Sequence, residues 1–230
     1  MNKKVLVTAG NTTVPIDRVR GLTNIFTGKT GTAIAEYFAT QGWQVTLLAS
    51  HPELVKQNQD NPMEVIRFKT YDDLYKTMEL QTRHGEFDVI VQSAAISDFS
   101  VTGAYQQAGQ IRESDGRFFV ELEKLDQSGK ISSKHPNLWF KTTPTVKIVD
   151  QIREPWGFRG LLVKFKLQVN MDDATLVELA QKSLVESRAN IIVANTLDKF
   201  DRAIVIDKDG TTSYISREKI PESIYKGLKL

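Results

Sequence analysis

The chain has 230 residues, a formal net charge of +2 and no cysteine. That excludes a disulfide framework, a thiolate metal site and a cysteine nucleophile. The basic residues are scattered rather than gathered in an arginine-rich stripe, no apolar run approaches a membrane span, and the N-terminus has no signal-peptide core. Nucleic-acid, membrane and secretory readings therefore lose their footing, and a cytoplasmic location is expected.

The length suits a single α/β domain over residues 1–230. Val5, Leu6 and Val7 read as a buried strand, and residues 31–41 as a helix. Residues 44–49 form a second strand that stops at Ser50-His51-Pro52. Residues 65–68 are a short strand, and 71–82 carry Leu74, Tyr75 and Met78 at helical spacing. Residues 87–92 are a further strand ending in Ser93-Ala94-Ala95. Residues 145–154 read as a helix begun near Pro144. A strand at 161–165 follows, then an amphipathic helix over 171–188 with Leu176, Leu179, Ala180 and Leu184 on one side. Residues 190–194 are a strand, and 203–217 a hairpin turning at Asp209-Gly210. Strands joined by helices imply a Rossmann-like, mostly parallel sheet with helices on both faces.

Residues 99–142 break the alternation. Phe118, Val120 and Leu122 share one face of a strand over 116–123, and 138–141 read as another. This segment is expected to form an antiparallel arm with a flexible lid loop, inserted in the one domain. Exposed apolar strands are a liability. Burial against a second subunit is the favoured expectation, giving a homodimer; packing on its own domain is the alternative.

Open parallel sheets bind ligands beyond the carboxyl ends of their strands. Polar residues gather at three such ends: 10–24, 93–98 and the strand end at Phe165. The dinucleotide fingerprint is absent, because Asn11, Thr12 and Thr13 follow Gly10. Gly28-Lys29-Thr30 is not the end of a P-loop, since Thr23 stands where its first glycine belongs. The connection before Gly28 is unusually long, as functional loops are. His51, His84 and His135 lie far apart without metal spacing, and no metal ligand is assigned.

The loop resembles that of the phosphopantothenoylcysteine synthetase family, the synthetase half of the DNA/pantothenate metabolism flavoproteins. The matching pattern is Thr8-Ala9-Gly10-x-Thr12, Asp17-x-Val19-Arg20 and Asn24-x-x-x-Gly28-Lys29-x-Gly31. Ala94-Ala95-x-x-Asp98, Gly129-Lys130-Ile131, Thr143-Pro144 and Val193-Ala194-Asn195 extend it over residues 5–200. The resemblance implies a ligase of coenzyme A biosynthesis joining phosphopantothenate to L-cysteine through an acyl-nucleotide (acyl-cytidylate) intermediate. Its co-substrate would be CTP or ATP, with Mg2+ carried by the nucleotide and no tightly bound flavin.

On that resemblance Asn24 holds the acyl carbonyl, Arg20 meets a phosphate or carboxylate, and Lys130 closes on the triphosphate from the lid loop. Asp98 contacts the nucleotide and Phe165 lines the base pocket. Gly10 and Gly28 are backbone-approach positions, and Ala94 and Ala95 let a base reach the main chain. The plain readings are a turn asparagine at Asn24, a surface ion pair between Arg20 and Asp17, and a tight strand end at Ala94-Ala95.

Three departures stand out. The chain opens at the synthetase strand without the decarboxylase half of bifunctional members, so a stand-alone form is expected. Phe165-Lys166-Leu167-Gln168 looks eukaryotic, which leaves CTP against ATP open. Ser132-Ser133 replaces a lid lysine, with Lys134 as its substitute. Two other enzyme classes are alternatives. A flavin-dependent decarboxylase needs a histidine base in its site. A short-chain reductase needs a Tyr-x-x-x-Lys pair, which Tyr71 and Tyr105 do not supply.

Overall fold

The computed structural model describes residues 3–57 and 61–228. In chain order the first elements are β1 (Lys4–Ala9), β2 (Thr13–Pro15), β3 (Gly21–Thr23), α1 (Lys29–Thr40), β4 (Gln44–Ala49), β5 (Glu64–Arg67), α2 (Tyr71–His84) and β6 (Val89–Gln92). The arm holds β7 (Phe99–Gln107), β8 (Arg112–Ser114), β9 (Arg117–Phe119), β10 (Leu122–Lys124) and β11 (Leu138–Pro144). Then come α3 (Ile148–Ile152), β12 (Leu161–Gln168), α4 (Asp173–Glu186), β13 (Ile191–Thr196), β14 (Arg202–Asp207), β15 (Thr212–Ser216) and α5 (Ile220–Gly227).

Eight strands form the main sheet in the order β15-β14-β13-β12-β6-β1-β4-β5. The six from β13 to β5 run parallel, and β14 and β15 extend the sheet antiparallel. The parallel strands are short apolar runs because both of their faces are covered. Val5, Val7, Val89, Val91, Val163 and Val193 pack on α1 and α5. Leu6, Ile90, Leu162 and Ile192 pack on α2, α3 and α4. From β1 the chain moves to β4 and β5 on one side, then returns to β6 on the other. That reversal is a topological switch point, where open α/β sheets leave a crevice.

Two sequence expectations are corrected by strand pairing. The segment 145–154 is helical only over Ile148–Ile152. Thr142, Thr143 and Pro144 instead pair with Val101, Ser100 and Phe99. A residue before proline favours extended backbone, so the strand outcompetes a helix start. The strand expected over 116–123 is broken in two. Arg117–Phe119 closes a hairpin on Arg112–Ser114, while Leu122–Lys124 joins β7. Period-two alternation continues across the break, so the pattern alone hid it.

The arm thus consists of a three-stranded sheet, β10-β7-β11, and the β8–β9 hairpin. Ala104 and Ile131 bury with Ile16 in a small separate core. This core docks the arm on the turn between β2 and β3.

Candidate active site

A cavity of about 740 Å³ opens at the carboxyl ends of β1, β6, β12 and β13, over the first turn of α1. Two glycines make the crossing of these segments possible. Gly10 has φ +103° and Gly28 has φ +90°. A Cβ on Gly28 would lie 2.3 Å from the Gly10 nitrogen, and one on Gly10 would lie 1.9 Å from Ser50 Oγ. No L side chain fits either place, and the contact sets α1 directly above the end of β1.

The N-terminus of α1 differs from those of α2 and α4. Thr70 and Asp73 close a capping box on α2, and Asp172 accepts from Thr175 N–H at the start of α4. Gly28 offers α1 no side-chain cap, and the first turn holds no acidic residue. The first N–H groups of α1 are left for a ligand of negative charge.

The loop before α1 folds as the β2–β3 hairpin and brings Asn24 back to the cavity. Asn24 Nδ2 donates to Ala95 O at 3.1 Å, and Asn11 Nδ2 donates to Asn24 O. Thr8 Oγ1 accepts from the N–H groups of Ser93 and Ala94 at 3.1 and 3.0 Å. Ala95 N–H donates to Gly10 O at 2.8 Å. Ala94 and Ala95 therefore fill a tight strand end and also line the cavity. Asn24 retains a second N–H, a neutral donor that costs little to desolvate compared with an ion.

Lys29, Lys166, Arg202 and Arg217 line the cavity against one carboxylate, Asp98. Arg217 Nη2 donates to Thr30 Oγ1 at 2.8 Å, and its guanidinium lies 3.5 Å from the centroid of the Phe200 ring. Burial lowers its pKa below the ordinary guanidinium value. Arg202 is held by Asp173, with Nη2 at 2.8 and 2.9 Å from the two carboxylate oxygens. Among the described residues no group of three or more His, Cys, Asp or Glu could hold a metal ion.

Of the residues singled out in the sequence, Gly10, Asn24, Gly28, Ala94, Ala95, Asp98 and Phe165 meet in this cavity. Arg20 and Lys130 do not line it. Arg20 Nε and Nη2 bind the Asp17 carboxylate at 3.0 and 2.6 Å, and Nη2 also donates to Ile131 O at 2.8 Å. The plain ion-pair reading describes Arg20 in this structure. Lys130 is exposed, beside Ile131, which is buried and tethered to Asp17. The expected lid is thus pinned at its centre.

Sequence reasoning missed Lys29, Arg202 and Arg217 as site residues. Arg202 and Ser216 pair across β14 and β15, which brings Arg217 back beside Arg202. Arg217 is 187 positions from Thr30, and no local pattern reports that contact. Asn195 carried a signal: it lies next to the carboxyl end of the last parallel strand, as Phe165 lies on the one before.

The family model for the DNA/pantothenate metabolism flavoprotein C-terminal domain matches residues 1–127. The coenzyme A biosynthesis bifunctional protein CoaBC of Thermococcus kodakarensis is 34% identical over 203 residues, which cover 86% of this chain and 42% of that protein. The chain thus spans under half the length of that relative. Phosphopantothenate–cysteine ligase 1 of Oryza sativa is 23% identical over 95% of this chain and 76% of its own length. The solved structure of the DNA/pantothenate metabolism flavoprotein from Streptococcus pneumoniae superposes with a TM-score of 0.80 at 26% identity. That match covers 99% of this chain and 98% of the other.

Proposed function

Because the chain belongs to the DNA/pantothenate metabolism flavoprotein C-terminal domain family, we propose that it is a ligase of coenzyme A biosynthesis joining phosphopantothenate to L-cysteine. The similarity to an archaeal coenzyme A biosynthesis protein and a rice phosphopantothenate–cysteine ligase supports the substrate class. The observation that carries the reading is Asn24, fixed by Ala95 at the edge of a cavity whose lining holds four cations and an uncapped helix start.

The reaction needs no protein nucleophile. A carboxylate oxygen of phosphopantothenate attacks the α-phosphorus of the nucleoside triphosphate, and pyrophosphate leaves. The cysteine amine then attacks the acyl carbon, the carbon–oxygen bond to phosphorus breaks, and nucleoside monophosphate departs as the nitrogen loses its proton. What the protein must supply is charge neutralisation at phosphorus and a donor for the acyl oxygen. Arg217, Lys29 and the first turn of α1 suit the former, and Asn24 suits the latter. Gly10, Gly28, Ala94, Ala95, Asp98 and Phe165 shape the nucleotide pocket. With Asp98 the one carboxylate in the lining, a magnesium ion would be carried by the triphosphate and would supply charge neutralisation there.

Lys130 joins the site in this reading only when residues 128–130 swing inward from the anchor at Ile131. Arg20 acts indirectly, by holding that anchor. None of the three histidines lines the cavity, so the base that a flavin decarboxylase requires has no candidate there. The exposed hairpin of the arm is assigned to a homodimer contact.

Pyrophosphate release with phosphopantothenate, cysteine and magnesium, compared for CTP and ATP, tests the activity and ranks the bases. Release that does not depend on phosphopantothenate defeats the proposal. Asn24→Ala should keep its melting temperature and lose about two to three orders of magnitude in turnover, as for an oxyanion donor. Near-normal turnover would remove Asn24 from the site.

A further inference from the structure

A second cavity of about 220 Å³ lies on the opposite face of the sheet, between the ends of β6 and β12 and helices α3 and α4. It meets the main cavity along a shared wall that includes Ala94, Asp98 and Phe165. Two features of its lining are unexplained by folding. Lys164 is 9% exposed, and its Nζ donates to Ser183 O and Oγ at 3.2 and 2.9 Å. No carboxylate stands within ion-pair distance of it among the described residues. Beside it in register on β6 is Gln92, whose Oε1 is buried with no hydrogen-bond partner.

A buried cation whose carboxylate neighbours, Asp150 and Glu186, act on it only from beyond ion-pair distance, and a buried acceptor without a donor, are each costly. Side by side in one cavity they are complementary to a ligand carrying an anion and a donor a short distance apart. We propose that this cavity binds the amino-acid substrate, a small α-amino acid zwitterion, with its carboxylate on Lys164 and its ammonium on Gln92. This rests on the ligase reading above and deepens it.

The chemistry separates this ligand from the other substrate. A phosphate end offers mainly acceptors and would leave Gln92 Oε1 unmet. The cavity also suits a small amino acid better than an extended pantothenate chain. The sheet order gives the orientation. Gln92 lies on β6, between the strand of Lys164 and β1, and Asn24 is bound to Ala95 just past the end of β6. The amine is thereby held on the side of the activated acyl group and the carboxylate away from it. Lys147 and Lys166 on the same wall add positive charge for the carboxylate.

Steady-state kinetics with cysteine varied, at saturating nucleotide and phosphopantothenate, tests the assignment. Lys164→Met should raise the KM for cysteine about ten- to a hundredfold, as for a lost charged hydrogen bond, and move the other two KM values less than about twofold. Gln92→Leu should also raise the cysteine KM while melting at or above the wild-type temperature, since it removes an unpartnered buried oxygen. A merely structural glutamine would not couple higher stability to weaker cysteine use. Unchanged cysteine KM in folded Lys164→Met and Gln92→Leu overturns the site, as does a shift confined to phosphopantothenate. If Lys164→Met does not fold, Gln92→Leu alone decides. Phosphopantothenate-dependent exchange of pyrophosphate into the nucleotide, run on the wild-type protein without cysteine, reports on the ligase reading separately. Its absence defeats the function, whereas its presence with an unmoved cysteine KM defeats this inference alone.

Discussion

The side chain of Asp17 is fully buried and accepts from the Arg20 guanidinium and from the N–H groups of Val19, Arg20 and Ile131. The guanidinium first, and then the three backbone donors, hold its carboxyl well below the usual carboxylate range, against the opposing effect of burial. One carboxylate thus ties the turn after β2 to the loop carrying Lys130. Asp17→Asn keeps the size but removes the charge, and should lower the melting temperature by about 5 °C or more. The sign of its pH dependence follows from the depressed folded value. The contribution is complete above the unfolded carboxylate value of about 3.9 and fades as pH falls toward the folded one. The gap in melting temperature between wild type and Asp17→Asn should be constant from about pH 7 to 5 and narrow below about pH 4. A gap that widens in acid would contradict the assignment. The sequence offered both readings of Arg20, because an offset of three residues suits an ion pair as well as a loop ligand. What decides between them is Ile131, 111 positions away.

Elements with both faces buried were legible from their composition alone. The parallel strands are apolar runs, and α2 and α4 carry caps as well as periodicity. The failures lie where tertiary pairing outranks local preference, as at Thr142–Pro144, or where an irregular segment is held by a distant side chain. Residues 153–160 are of the second kind. Arg153 donates to the carbonyls of Phe158, Gly160 and Arg188 and to Asn190 Oδ1, at 2.7 to 3.3 Å. Burial lowers its pKa, and nearby Arg159 and Arg188 add to the effect, yet carbonyl acceptors are its partners. Asn190 Oδ1 also accepts from Leu162 N–H at 2.9 Å, so the knot fixes the entry to β12 and hence the height of Lys164 and Phe165. Arg153→Met strands those carbonyls and should cost roughly 2–4 kcal/mol in chemical denaturation. A loss below about 0.5 kcal/mol, the level of an ordinary surface change, would show that water replaces the guanidinium freely.

At the scale of the whole molecule, the main cavity and the smaller one share a wall, and the arm stands apart from both. The first was legible because strand-end motifs converge at a switch point. The second was not, since Gln92 and Lys164 look like ordinary strand residues until their register places them together. The hairpin of the arm was legible as apolar sequence outside any core. Phe118 is 69% and Phe119 53% exposed, and neither belongs to any of the buried clusters. Both lie on β9, at a hairpin whose base is closed by Ala108 N–H to Glu121 O at 2.9 Å. Excising the whole arm would cut β7 and the small core under it, so point changes give the cleaner test. Phe118→Asp with Phe119→Asp places one charge on each face of the exposed hairpin and leaves every buried contact intact. If the hairpin seats on a second copy, the double variant should elute and scatter light as a monomer where the wild type is a dimer. Its melting temperature at high dilution, where the wild type is also dissociated, should match the wild type within about 2 °C, because surface changes seldom exceed about 0.5 kcal/mol. A double variant that remains dimeric, or a wild type that is monomeric at tens of micromolar, would assign these phenylalanines to no contact between copies.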